Sequence, residues 1–173
     1  MSNPFDLFGL QPAYAIDLKA LDKAYFELQR AHHPDKQPAS NQNRPFDALS
    51  SDVNTAYQAL KNPVKRAAAL LEMIGMPVPG ADGSSVTHEV ALLDILDFQE
   101  TIMMCETSAQ AKEIKEDLDE VFGEEQNLFS EHYDRGDLDA LPEIYVKLSY
   151  IDKLKKQIDE IEREFYNRTP IMH

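Results

Sequence analysis

DLKALDKAYFELQRAHHPDK, residues 17–36, reads as one amphipathic helix brought to an abrupt stop. Asp17 can cap a helix from about Leu18 to His32 by accepting its first free backbone N–H groups. Leu18, Leu21, Tyr25 and Leu28 recur at the three- and four-residue spacing of an apolar stripe. Lys19, Lys23 and Arg30 fall within about 40° of one another at about 100° per residue, so they share one solvent face. Pro34 ends the helix, because it disfavours helical geometry at His33 and has no backbone N–H to donate. His33 and Asp35 are thereby presented at a rigid corner.

The same spacing governs the rest of the chain. A polar loop over Gln37–Asn43 leads to a helix from about Phe46 to Leu60, with Val53, Ala56, Tyr57 and Leu60 on its apolar side. Asn62-Pro63 breaks that helix, and a short one follows over Val64–Ile74. Prolines and glycines then concentrate over residues 75–85. Beyond them the periodicity predicts three helices, over about Thr87–Glu106, Ser108–His132 and Asp139–Tyr166. Ile114, Leu118, Val121, Phe122, Leu128 and Phe129 are the expected inward residues of the second. Ile144, Leu148, Ile151, Leu154, Ile158, Ile161 and Phe165 are those of the third, where Pro142 is tolerated in the first turn. Three such helices with short connections imply an antiparallel bundle. The expected organisation is all-α: a first domain over 1–75, a linker over 76–86 and a three-helix bundle over 87–173.

Charge divides the chain at the same place. Residues 1–75 carry eight Lys/Arg and eight Asp/Glu, whereas residues 76–173 carry nine and twenty-three, so the second part holds the whole net charge of −14. An acidic surface repels phosphate backbones and anionic lipids, which argues against nucleic acid and membrane as partners. A single cysteine, Cys105, permits neither an internal disulfide nor a cysteine-built metal site, and fits the cytoplasm. The N-terminus has no basic segment of the kind that opens a secretory signal. Neither HExxH, a Gly-rich phosphate loop nor a nucleophile elbow is present, so the expectation is a protein without cofactor, metal or catalytic centre.

The helix over 87–106 has more apolar positions than one face can hold. With Leu92 at 0°, Met103, Leu96, Leu93 and Met104 lie at about 20°, 40°, 100° and 120°, while Phe98, Ala91, Ile102 and Ile95 lie at about 240–300°. Only one of these stripes can pack on the other two helices. A helix apolar on two sides is either fully buried, which is difficult in a three-helix bundle of this size, or keeps the second side for a partner.

His33-Pro34-Asp35 between two helices, the first with a cationic face, resembles the J domain of DnaJ-type co-chaperones. Phe8-Gly9-Leu10, Leu28-Gln29-Arg30, the run Asn54–Pro63, Arg66-Ala67, Leu70-Leu71 and Tyr150–Leu154 are similar to the HscB family of iron–sulfur assembly co-chaperones. The resemblance covers essentially the whole chain. It implies a J domain, with an antiparallel helical hairpin and short helices, followed by a three-helix client-binding bundle. It further implies an HscA/DnaK-type chaperone ATPase as partner and an IscU-type scaffold protein as client; a J-domain co-chaperone for a different client is the alternative. On the chaperone side the resemblance and the cationic face point to His33, Pro34, Asp35, Lys19, Lys23, Arg30 and Lys36. General J domains are more basic on this helix, and Asp22 and Glu27 are expected to dilute its charge. On the client side the family's patch maps onto Leu92, Leu93, Leu96, Asp97, Glu100, Met104 and Tyr150. Met104 stands where the family pattern has a glutamate and Tyr150 where it has a phenylalanine, which makes the patch more apolar here.

Overall fold

The structure, a computed structural model, describes residues 3–31, 46–81 and 89–168. The described residues form helices and connecting turns, with no strand among them. They divide into two units, Met1–Met76 and Pro77–His173.

The first unit holds α1 (Pro4–Leu7), α2 (Leu18–Ala31), α3 (Phe46–Lys61) and α4 (Pro63–Met73). Each helix start has a chemical cause. The Asn3 side chain accepts from Phe5 N at 3.0 Å, with Pro4 at the first helical position. Asp17 Oδ1 accepts from the N–H groups of Lys19 (2.9 Å) and Ala20 (3.2 Å), the cap expected of it. Asn62 accepts from Lys65 N at 2.9 Å, so the Asn62-Pro63 break is also the cap of α4. After α1 the chain turns at Gly9, whose φ of 65° favours a residue without Cβ, and Leu10 N donates to Phe5 O at 3.0 Å.

Phe5, Leu21, Leu60, Ala67, Leu70 and Leu71 are fully buried and form the core of this unit. Leu18, expected in the apolar stripe of α2, is 40% exposed. It is the first residue of the helix, one turn before the stripe meets α3. Arg66 is buried: its Nη1 donates to Leu60 O at 2.7 Å, and its guanidinium lies 4.8 Å from the centroid of the Tyr14 ring. Burial pushes the Tyr14 hydroxyl up to about 12, against the lowering effect of Arg66.

The seam between α2 and α3 is polar and aromatic. Tyr25 stacks on Tyr57 with ring centroids 4.0 Å apart, and its hydroxyl donates to Asn54 Oδ1 at 2.7 Å. Gln29 Nε2 reaches both Tyr25 Oη (2.8 Å) and Asn54 Oδ1 (3.0 Å). Lys61 Nζ bonds both Asp22 carboxylate oxygens, at 2.7 and 2.9 Å, and the Tyr57 hydroxyl donates to Oδ1 at 2.9 Å. Ascending positions on α2 meet descending positions on α3, which makes the pair antiparallel. Asp22 departs from the expectation that it weakens the cationic face. It does not dilute that face of α2, because its carboxylate is turned to α3 and neutralised by Lys61.

The second unit holds α5 (Glu89–Met103), α6 (Ser108–Arg135) and α7 (Leu141–Arg168), with a 3-10 turn over Leu138–Ala140. Thr107 and Gln110 form a reciprocal capping box at the start of α6. Gly136 ends that helix in the left-handed region at φ 74°, three residues later than the sequence suggests. Cross-helix ion pairs fix the α6–α7 register: Lys115 with Asp159 (2.6 Å) and Glu162 (3.5 Å), Asp119 with Lys155 (2.6 Å), and Glu125 with Lys147 (3.5 Å). Between them Leu118, Phe129, Leu148 and Ile158 are fully buried. Leu128, expected inward, is 42% exposed and Val121 half-buried. Leu128 lies about 80° from Leu118 around the helix, whereas Glu125 lies within about 20° and is buried in its place.

The α2–α3 seam has a pH signature. Hydrogen bonds from Lys61 and then Tyr57 hold the Asp22 carboxyl below its ordinary value of 3.8. A carboxyl depressed on folding stabilises above its unfolded value and loses that contribution as pH falls through the folded one. The stability advantage of the native chain over Asp22→Asn is therefore expected in full at pH 7 and to shrink as pH drops below about 3.8. Urea midpoints of the two proteins across this range measure it.

Candidate functional site

Each unit presents one candidate surface. In the first, Lys19, Lys23 and Arg30 are all exposed on α2, and none has an acidic partner among the described residues. Glu27 is exposed as well. His33, Pro34, Asp35 and Lys36 lie outside the described residues. What the structure does describe is their approach: α2 runs unbroken to Ala31, clamped along its length against α3.

The second surface is on α5. Ile95 and Ile102 are buried at 3% and 2% exposure, while Leu93 (68%), Leu96 (49%), Met103 (83%) and Met104 (76%) face solvent. The two stripes read from the sequence are thus divided between core and water. Phe98, on the inward side, is half-buried. The backbone of Leu92 belongs to α5, but its side chain lies outside the described residues. Asp97 and Glu100 are exposed beside the apolar stripe. A groove of about 650 Å³ continues from Asp97, Glu100 and Met104 onto α6, where Glu113, Ile114 and Asp117 line it. Glu113 and Asp117 escaped the sequence reading because they join the patch only through the fold.

Tyr150 is half-buried on α7, with the Lys153 ammonium 5.1 Å from its ring centroid. Its relation to α5 follows from the packing. The C-terminal end of α5 meets α7 around a hollow lined by Ile102, Met103, Gln157, Ile161 and Phe165. Short connections reverse the chain twice, so α5 and α7 run parallel. Eleven residues back along both helices, about 16 Å, brings the α5 backbone at Leu92 level with Tyr150. Residues far apart in sequence thereby border one surface. Met103 belongs to the same exposed stripe, though the family pattern did not single it out. Among the described residues no group of three or more His, Cys, Asp or Glu could hold a metal ion, and no helix is long and apolar enough to cross a membrane.

Residues 3–69 match the DnaJ domain, which makes this a J-domain protein carrying a helical bundle. Residues 90–159 match the family model described as the HSCB C-terminal oligomerisation domain. The co-chaperone protein HscB homolog of Neisseria meningitidis serogroup A is 30% identical over 163 residues, covering 91% of this chain and 98% of that protein. The chain belongs to the HscB family of J-type co-chaperones. Solved structures agree in fold. Human co-chaperone HscB superposes with a TM-score of 0.82 at 25% identity, over 94% of this chain and 83% of that one. HscB from Vibrio cholerae gives 0.78 at 24%, over 95% and 99%. Jac1 from Saccharomyces cerevisiae gives 0.76 at 21%, over 92% and 96%.

The division of α5 into two faces gives a direct stability test. Ile95→Ala removes buried methyl groups and is expected to cost about 2–5 kcal/mol of folding free energy. Leu93→Ala, on the exposed stripe, is expected to stay within about 0.5 kcal/mol of the native chain. Urea unfolding of the two variants in parallel measures the contrast.

Proposed function

We propose that this co-chaperone binds an IscU-type scaffold protein through its bundle. It delivers the scaffold to an HscA/DnaK-type chaperone and stimulates that chaperone's ATPase, in iron–sulfur cluster assembly. Residues 1–75 are the J domain, 76–86 the linker and 87–173 the client-binding bundle. The observation that carries the reading is His33-Pro34-Asp35, placed directly after a helix whose solvent face is cationic, in a chain of the HscB family.

The chemistry runs from these residues. Pro34 fixes the corner that follows α2, and Asp35 offers a carboxylate there to an arginine of the chaperone, as a charge-assisted, bidentate hydrogen bond. Lys19, Lys23, Arg30 and Lys36 steer this corner towards an acidic surface, which raises the association rate more than the affinity. On the bundle, Leu92, Leu93, Leu96, Met104 and Tyr150 bury apolar client surface, and Asp97 and Glu100 receive its cations. Methionine suits such a site because its unbranched side chain adapts to a partner's contour. Binding at one end and ATPase stimulation at the other bring the client to the chaperone as it hydrolyses ATP.

Two outcomes test this. Asp35→Asn and His33→Gln are expected to abolish stimulation of single-turnover ATP hydrolysis by a purified HscA-type chaperone while circular dichroism stays unchanged. Wild-type stimulation by either variant would remove the tripeptide from the mechanism. Leu96→Ala and Tyr150→Ala are each expected to weaken scaffold binding by about 2 kcal/mol, roughly thirtyfold in Kd, by titration calorimetry. The exposed stripe of Leu93, Leu96, Met103 and Met104 also suits self-association, the property named in the matching family model. Sedimentation of the chain alone and with scaffold separates the two uses.

A further inference from the structure

An aromatic ring borders the cationic face of α2. Phe26 lies within about 20° of Lys19 around the helix and about 40° of Arg30, and about 40° from Asp22, whose carboxylate faces α3. It is 62% exposed, more than Leu18 (40%) or Met73 (39%), the other large exposed apolar side chains among the described residues of this unit. A single exposed apolar residue needs no explanation in itself. Phe26 differs in being held. Its ring meets Tyr25 edge-on, with centroids 5.6 Å apart at 62°. Tyr25 in turn is stacked on Tyr57 and hydrogen-bonded to Asn54 and Gln29. The aromatic series therefore starts at the α2–α3 clamp and ends in solvent, beside the face that carries Lys19, Lys23 and Arg30.

We propose that Phe26 is the apolar anchor of the chaperone-facing surface and inserts into a hollow, rimmed by acidic side chains, on the partner ATPase. This rests on the co-chaperone reading above and adds a residue and a chemistry to it. Charge complementarity fixes the kind of occupant: three exposed cations with no acidic partner among the described residues call for a carboxylate rim. The ring supplies what cations cannot. Charges in water steer encounter, whereas a desolvated aromatic ring slows dissociation, and aromatic residues dominate interface hot spots. Because the Tyr25–Tyr57 stack already orients Phe26, little side-chain entropy is lost on docking. Turning Asp22 inward to Lys61 serves the same surface, since a carboxylate left outside would repel the acidic rim.

The test measures the concentration of co-chaperone giving half-maximal stimulation of a purified HscA-type chaperone, for the wild-type chain, Phe26→Ala and Phe26→Lys. Both variants are expected to raise that concentration by roughly thirtyfold, with maximal stimulation at saturation preserved. Urea unfolding verifies the fold, and lysine's good helix propensity makes Phe26→Lys the safer variant. Phe26→Lys also separates anchor from charge. If this face acts by charge alone, an added cation leaves half-saturation at or below the wild-type value, and that result overturns the inference. Wild-type half-saturation by Phe26→Ala overturns it equally. A loss of maximal stimulation with half-saturation unchanged would place Phe26 in the triggering step and likewise refute an anchoring role. A wild-type chain that stimulates no ATPase defeats the co-chaperone reading itself, and this inference falls with it.

Discussion

The hairpin of α6 and α7 offers α5 one surface to pack on, so only one of the two apolar stripes of α5 can leave water. Everything distinctive about the second unit depends on that limit. The ion pairs from Lys115, Asp119 and Glu125 to α7 set the hairpin register, and the register aligns Leu118, Phe129, Leu148 and Ile158 into a buried seam. Ile95 and Ile102 extend this core from α5. The other stripe remains outside, at hydrophobic cost, and that exposed area is what a binding partner can cover.

The first unit meets a different requirement. Its helix α2 carries an exposed cationic surface and is held without being deeply buried. A purely apolar seam would need a wider apolar stripe than α2 has. Instead Asp22, Tyr25 and Gln29 bind Tyr57, Lys61 and Asn54, which ties α2 to α3 at successive turns. Below this seam Arg66 is held between the Tyr14 ring and the Leu60 carbonyl, so the start of α4 is locked to the loop before α2. The ties between α2 and α3 thus run from Asp22 to Gln29, close to the last described turn of α2.

Much of this was legible in the sequence because helices write their faces at short range. The cap at Asp17 and the break at Asn62-Pro63 are local chemistry. So is the partition of α5 into two stripes, since an angle around a helix needs only residue spacing. Leu128 shows where this fails. It lies about 80° from the buried line, and whether that angle is inside or outside depends on how wide a surface α7 covers. Glu125 shows the converse: its angle is central, but its polarity hides its burial, which the ion pair with Lys147 on the facing helix helps make tolerable.

By itself, then, the sequence determined the helices, their caps, the charge partition, the tripeptide and the two faces of α5, because each is encoded within a few residues along the chain. Tertiary structure alone decided which face of α5 is buried, that Glu113 and Asp117 border the groove beside Asp97 and Glu100, and that Tyr150 sits level with Leu92. It also decided that Asp22 belongs to the α2–α3 seam while Phe26, beside the cations, stands in solvent. These are relations between helices. They follow from register and packing, which the periodicity of a single helix does not contain.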